Sequence, residues 1–169
     1  CIIGDGLTSL SLAKNLINKK INVHFCYRNK IKNLSTNRTI GISKNNLEFF
    51  KKEIHNIPKK ILWEINKIKI YSEKLEKENL LKFERYRSDL FYMIKNDELY
   101  KLLKNKISKN KFLKIKIIKN SFFYDELLKK NKYDLIINCD SNNILSKKYF
   151  TKKINKDYDN IAYTTVLKH

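Results

Sequence analysis

The sequence predicts an α/β fold built on a parallel sheet, and three observations carry that reading. An apolar strand end, Cys1-Ile2-Ile3, runs straight into Gly4-Asp5-Gly6, which holds two of the three glycines in 169 residues. After that pair, Leu7, Leu10, Ala13, Leu16 and Ile17 recur at helical spacing, and Ile21 to Tyr27 reads as a second strand. Much later, Tyr133-Asp134-Leu135-Ile136-Ile137-Asn138-Cys139-Asp140 supplies an apolar run typical of a buried parallel strand, with an acid at its carboxyl edge.

Strand, glycine turn, helix and strand make a βαβ unit. Glycine tolerates φ > 0 and lets another group approach the main chain. The helix that follows offers unbonded N–H groups and a positive dipole end, which together suit a pyrophosphate. The Rossmann arrangement holds a dinucleotide in this way, with an acid on the ribose at the end of the second strand. Here Ser9 stands for the third glycine of G-x-G-x-x-G, and Tyr27-Arg28 occupies the place of the acid. An ordinary βα turn that uses glycine only for tightness is the competing reading.

The remaining elements follow in order. Asn29 to Asn37 reads as a polar loop, and Arg38 to Ser43 as a short extended piece holding the third glycine, Gly41. Arg38 is one of four arginines in a lysine-dominated chain, so it suits either a planar multi-donor contact or a local carboxylate. Ser43 is placed to cap a helix with Leu47, Phe50 and Ile54 on its inner face, ended by Ile57-Pro58. From about 61 to 94 the pattern turns extended: Ile68, Ile70 and Leu75, then Leu81, Phe83 and Tyr86, then Phe91 to Ile94. It predicts a half-buried antiparallel insertion in which Trp63 is a packing anchor. Asn96-Asp97-Glu98 opens a helix with Leu99, Leu102, Leu103 and Ile107 on one face. Phe112 to Ile118 alternates as a strand, and 119 to 132 is read as a hairpin or loop. Asp140 is a candidate ligand contact, a cap for a short helix starting at Ser141 and Asn142, or both. Ile161 to Leu167 reads as one more strand.

The formal net charge of +20 invites a nucleic-acid reading. Lys, Asn and Ile together make up close to half the chain, and the lysines are spread along it rather than gathered in an arm. Such a distribution is a solvated surface, not a specific nucleic-acid site. Cys1, Cys26 and Cys139 share no metal-ligand spacing and are read as small strand hydrophobes in a reducing, cytoplasmic compartment. No apolar run is long enough to span a membrane. His24, His55 and His169 form no catalytic constellation, and His24 is read as structural. Both ends fall inside expected strands, so the chain is expected to be the N-terminal part of a longer protein.

The order of these landmarks resembles the FAD-dependent aromatic hydroxylases, the p-hydroxybenzoate hydroxylase-like flavoprotein monooxygenases, and within them the ubiquinone-biosynthesis branch. Ile2-Ile3-Gly4-Asp5-Gly6-Leu7 is similar to the family's FAD-binding glycine motif. Arg38 with Ile40-Gly41-Ile42-Ser43 resembles its second motif, where an arginine meets the flavin nucleotide. Leu90, Tyr92, Asn96 and Leu99 match a further family stretch, and Cys139-Asp140-Ser141 resembles the A-D-G motif near the cofactor. Tyr158 and Ala162 to Val166 resemble the strand that opens the substrate-domain sheet. Tyr27, Ser141 and Ile144 depart from the pattern, and no later G-D motif is present.

What the resemblance implies is a Rossmann-like FAD-binding βαβ sheet over 1–150, with the antiparallel insertion, and the start of a substrate domain over 151–169. It implies FAD at Gly4, Gly6, Leu7, Ser9, Arg38 and Asp140, NAD(P)H as reductant, and hydroxylation of an aromatic ring, a ubiquinone precursor with or without a prenyl tail. No side chain acts as nucleophile or base, and no metal is called for. Association with a biosynthetic complex or the inner membrane face is also expected, and the 169-residue chain alone is expected to be inactive. The rivals are another FAD- or NAD(P)-dependent oxidoreductase with the same opening unit, and a degenerate, non-catalytic Rossmann-like module.

Overall fold

A computed structural model describes residues 1–28, 38–71, 79–84, 90–129, 132–150, 152, 156–159, 161 and 163. The chain divides into one unit made of residues 1–33 and 102–169 and another of residues 34–101. The loop read over 29–37, the positions Leu75 and Tyr86, and nearly all of the strand read over 161–167 lie outside the described residues.

The first unit is the expected parallel sheet. Strands β1 (Ile2–Ile3) and β2 (Val23–Tyr27) are joined by helix α1 (Leu7–Asn18). Later in the chain, strands β8 (Leu113–Ile117) and β9 (Ile137–Asn138) complete a four-stranded sheet of order β8-β2-β1-β9, all parallel. Ile2 and Ile3 pair with Phe25 and Cys26 on one side and with Ile137 and Asn138 on the other. Successive side chains point to opposite faces, and both faces are buried: Ile2 and Phe25 on one, Ile3 and Cys26 on the other. A strand covered on both faces has to be continuously apolar, which is why Cys1-Ile2-Ile3 shows no alternation. Leu10, Ala13 and Ile17 form the buried stripe of α1, which packs on β1 and β2.

Cys1 and Cys139 flank the strands rather than lie in them. Strand β9 pairs over two residues only, and Leu135 before it is 65% exposed while its carbonyl accepts from the Cys1 amino group at 2.8 Å. Cys26 is fully buried with its Sγ 3.8 Å from that of Cys1, and all three cysteines are free thiols. His24 Nδ1 meets the Tyr133 hydroxyl at 2.8 Å, and burial together with Lys114 and Lys132 holds its imidazole below the usual range. It is a neutral, structural histidine.

Residues 119 to 132, expected as a hairpin or loop, instead contain helix α4 (Phe122–Lys129). Its Phe123, Tyr124 and Leu127 pack with Ile3, Cys26 and Ile118 and with Leu145 of helix α5 (Ile144–Tyr149), forming the core on that face of the sheet. The spacing 123, 124, 127 is helical, but a helix of two turns gives too short a window for the period to stand out.

The second unit is antiparallel, as expected. Strands β3 (Thr39–Ile42), β7 (Phe91–Lys95) and β4 (Trp63–Ile65) form a sheet of order β3-β7-β4. Strands β5 (Lys67–Tyr71) and β6 (Asn79–Glu84) pair separately. Half-burial does not hold for that ribbon: Ile70, Leu81 and Phe83 are all exposed, since a two-stranded pair has no second layer of its own. Trp63 is not a packing anchor. It lies on the edge strand β4, exposed, with Lys95 Nζ 5.7 Å from the ring centroid.

Helix α2 (Lys44–Phe49) starts as expected, with Ser43 Oγ accepting the Asn46 N–H at 3.2 Å. It runs on as a π-helical turn, Phe50–Ile54, and so ends before Pro58. Helix α3 (Asn96–Ile107) carries buried Leu99, Leu103 and Ile107. Asp97 in its first turn bonds Lys101 at 2.9 Å, and that contact holds its carboxyl below the usual range. Among the described residues no helix is long and apolar enough to cross a membrane.

Candidate functional site

The candidate site is a cleft of about 350 Å³ at the carboxyl ends of β1, β2 and β9. Gly4, Asp5 and Gly6 line it from the first turn, Tyr27 and Arg28 from the end of β2, and Cys139 to Asn142 from the loop after β9. Ile118 and Tyr124 close it on the side of β8 and α4. Parallel sheets bind ligands here because strand carboxyl ends and helix amino ends converge at one edge.

The two glycines of the turn have different jobs. Gly4 adopts φ +122, a conformation L side chains rarely take. A Cβ there would lie 3.2 Å from the Cys139 carbonyl carbon and 3.3 Å from its oxygen. Gly4 is therefore glycine because β9 passes so close, and its N–H donates to the Cys26 carbonyl at 2.9 Å. Gly6, the N-cap of α1, has φ −80, and a Cβ added to it would meet nothing within 4 Å. Among the described residues no side chain caps α1, and its first turn holds no acid. The early N–H groups of any helix lack intrahelical acceptors, so this end is suited to an anion.

The other residues picked out from sequence fall in different places. Leu7 is half-buried at the start of α1. Ser9 is fully buried, and its hydroxyl donates to the Gly6 carbonyl at 2.8 Å, so it braces the turn from behind. Arg38 is exposed in the second unit, where its carbonyl accepts the Asn96 N–H at 2.9 Å. Asp140 lines the cleft and accepts the Asn142 N–H at 2.9 Å. It is not the cap of α5: Asn143 is, with its Oδ1 accepting the Ser146 N–H at 2.9 Å. An amide carbonyl three residues nearer the helix has the shorter reach.

Behind Asp140 lies a polar network that sequence reading missed. Asn143 Nδ2 donates to Asn138 Oδ1 at 2.7 Å, and Asn138 Nδ2 donates to Ser146 Oγ at 2.8 Å. Ser146 Oγ in turn donates to the Asp140 carbonyl at 2.7 Å, and Asn138 Oδ1 accepts the Asp140 N–H at 3.2 Å. Asn143 is 1% exposed, and a buried amide needs all these partners. In a chain so rich in asparagine these two carried no distinguishing signal.

A second missed residue is Tyr124. It is buried, it forms part of the cleft wall, and its hydroxyl has no hydrogen-bond partner among the described residues. The exposed Arg28 places its guanidinium carbon 5.9 Å from the Tyr124 ring centroid. Burial pushes the Cys26 and Cys139 thiols up, so neither is a thiolate nucleophile. The arrangement is suited to binding, and its residues fit an adenine dinucleotide: an uncapped helix end, open space at Gly6, and a polar atom in need of a partner.

No protein-family model and no curated protein matches the sequence. Among solved structures, the chain is similar to PqsL from Pseudomonas aeruginosa, described as a probable FAD-dependent monooxygenase. The TM-score is 0.55 at 14% identity, over 69% of this chain and 31% of that one. A quadruple mutant of PqsL gives a TM-score of 0.56 at 15% identity, over 69% and 32%. The chain thus spans about a third of the length of these structures. It shares their Rossmann-like α/β fold.

Proposed function

We propose that this chain is the cofactor-binding part of an FAD-dependent monooxygenase that hydroxylates an aromatic ring. The observation that carries the reading is the uncapped amino end of α1, opening with Gly6 on a cleft between β1, β2 and β9. The fold likeness to a flavin-dependent monooxygenase agrees with it. The N–H groups of Leu7, Thr8 and Ser9 would take the pyrophosphate, Tyr27 and Arg28 would face the adenosine end, and Asp140 the far side. Bound flavin supplies the redox and oxygen chemistry. The chain's own residues bind and orient it: Gly4 lets β9 close against the turn, Ser9 holds the turn's shape, and the Asn138–Asn143–Ser146 network fixes the Asp140 loop.

Further parts of the reading rest on the sequence resemblance. They are Arg38 as a contact to the flavin nucleotide, NAD(P)H as reductant, and a phenolic ubiquinone precursor as substrate. The same holds for a division into cofactor-binding residues 1–150 and a substrate part starting at 151–169. A prenylated substrate would bring the protein to a membrane surface or a biosynthetic complex.

The test is to purify the intact protein and read its flavin absorbance and fluorescence, before and after adding FAD. Stoichiometric FAD is expected, with NAD(P)H oxidation stimulated by a phenolic substrate and an oxygenated product in the mass spectrum. A protein that neither carries nor takes up flavin overturns the reading. Bound flavin with no oxygenated product would favour the second reading, a different FAD- or NAD(P)-dependent oxidoreductase on the same βαβ unit.

A further inference from the structure

We propose that the Tyr124 hydroxyl binds the adenosine ribose of the dinucleotide, in place of the carboxylate that ends the second strand in other Rossmann clefts. This rests on the dinucleotide reading of the cleft and adds a residue to it. In the general arrangement an acid at that strand end accepts from a ribose hydroxyl. Here β2 ends in Tyr27 followed by Arg28, and neither is an acid.

The fold brings Tyr124 to the same place by another route. Strand β8 lies beside β2, and the Ile118 N–H donates to the Tyr27 carbonyl at 2.8 Å, which ties the start of the β8–α4 connection to the end of β2. Helix α4 then begins at Phe122, so Tyr124 falls in its first turn, on the cleft wall with Ile118, Tyr27 and Arg28.

Two features separate Tyr124 from an ordinary core tyrosine. Its side chain is 1% exposed, so water does not reach the hydroxyl, and no group among the described residues pairs with it. A buried hydroxyl without a partner is costly and phenylalanine would avoid the cost, so the oxygen calls for an explanation. Tyr27 is half-buried and can hydrogen-bond to water. Second, the Arg28 guanidinium lies 5.9 Å from the Tyr124 ring centroid, which suits the anionic neighbourhood of a ribose linked to a pyrophosphate. A ribose hydroxyl both donates and accepts, as a phenol does, so the pair can form without a carboxylate. Entry of the ribose needs the side chains around the buried hydroxyl to move aside.

The experiment uses the intact protein and Tyr124→Phe, which keeps the ring. Binding of FAD, ADP, 2′-deoxy-ADP and 3′-deoxy-ADP is measured by titration calorimetry, with melting of the ligand-free proteins alongside. The expected result is that Tyr124→Phe weakens ADP and FAD roughly tenfold, without lowering the ligand-free melting temperature. The wild type should lose a similar factor with one of the two deoxy nucleotides, and the variant should lose nothing more with that one. Equal ADP affinity in wild type and variant overturns the proposal, as does a loss that persists unchanged with both deoxy nucleotides. If the variant does not fold, the wild type alone decides: no preference for ADP over either deoxy form overturns it. A wild type that binds neither FAD nor ADP overturns the dinucleotide reading as well, so the two failures are distinct.

Discussion

Gly4 and Gly6 are one residue apart in the sequence and look interchangeable there, yet the structure gives them opposite sensitivities. Gly4 has φ +122 and the Cys139 carbonyl within 3.3 Å of a would-be Cβ. Gly4→Ala should therefore cost about 2 kcal/mol or more of stability with or without ligand, from the left-handed backbone and the crowding against β9. Gly6→Ala meets open space at φ −80 and should change stability by less than about 1 kcal/mol. Denaturant unfolding of the two variants, followed by flavin titration, checks this. Any loss of flavin from Gly6→Ala reports on the site, while loss from Gly4→Ala reports on the fold. A branched residue at Gly4 would block a pyrophosphate only after it had pushed β9 away. The sequence marked both glycines as special, but which one has open space beside it depends on Cys139, far along the chain. No local pattern encodes that.

At the level of elements, the long helices were legible because each repeats its period several times, and the parallel strands β1 and β2 because they are almost continuously apolar. Helix α1 shows its apolar stripe over 12 residues, and α3 opens on two acids and closes on lysines. Helix α4 hid because it is 8 residues long and begins among aromatics, which suit strands as well. The loop after β9 hid for a different reason: its order comes from side-chain amides bonding one another. That loop gives a sharp expectation. Asn143→Ala removes the cap of α5 and leaves Asn138 with a donor and an acceptor short, in a site that is 1% exposed. It should cost about 2–3 kcal/mol. Flavin or ADP affinity should fall with it, since Asp140 is held by the same network. Melting and titration of the variant measure both. Unchanged melting would mean that the network is not what holds the loop.

For the whole molecule, the fold class was readable because a parallel strand covered on both faces demands a composition that few other elements share. The exposed β5–β6 ribbon was misjudged because alternation gives a face, not a partner to cover it. The formal charge of +20 leads to a prediction of its own. Short duplexes of unrelated sequence should bind with equal, weak affinity, and the binding should vanish as salt is raised past physiological strength. A sequence preference that survives salt would show a nucleic-acid site that the lysine distribution does not. The topology also orders events in time. Strand β1 is made before the other strands of its sheet, yet it is internal, flanked by β2 within thirty residues and by β9 only at Ile137. Between them the ribosome must deliver the whole antiparallel unit, residues 34–101. One wall of the cleft is therefore present early as a βαβ piece with an unpaired, apolar strand edge, and the opposite wall arrives only with Ile137. Such long-range closure is slow and leaves that edge open to wrong partners while it waits. The same passage of β9 past Gly4 that shapes the cleft thus delays the closing of that cleft until Ile137 has been made.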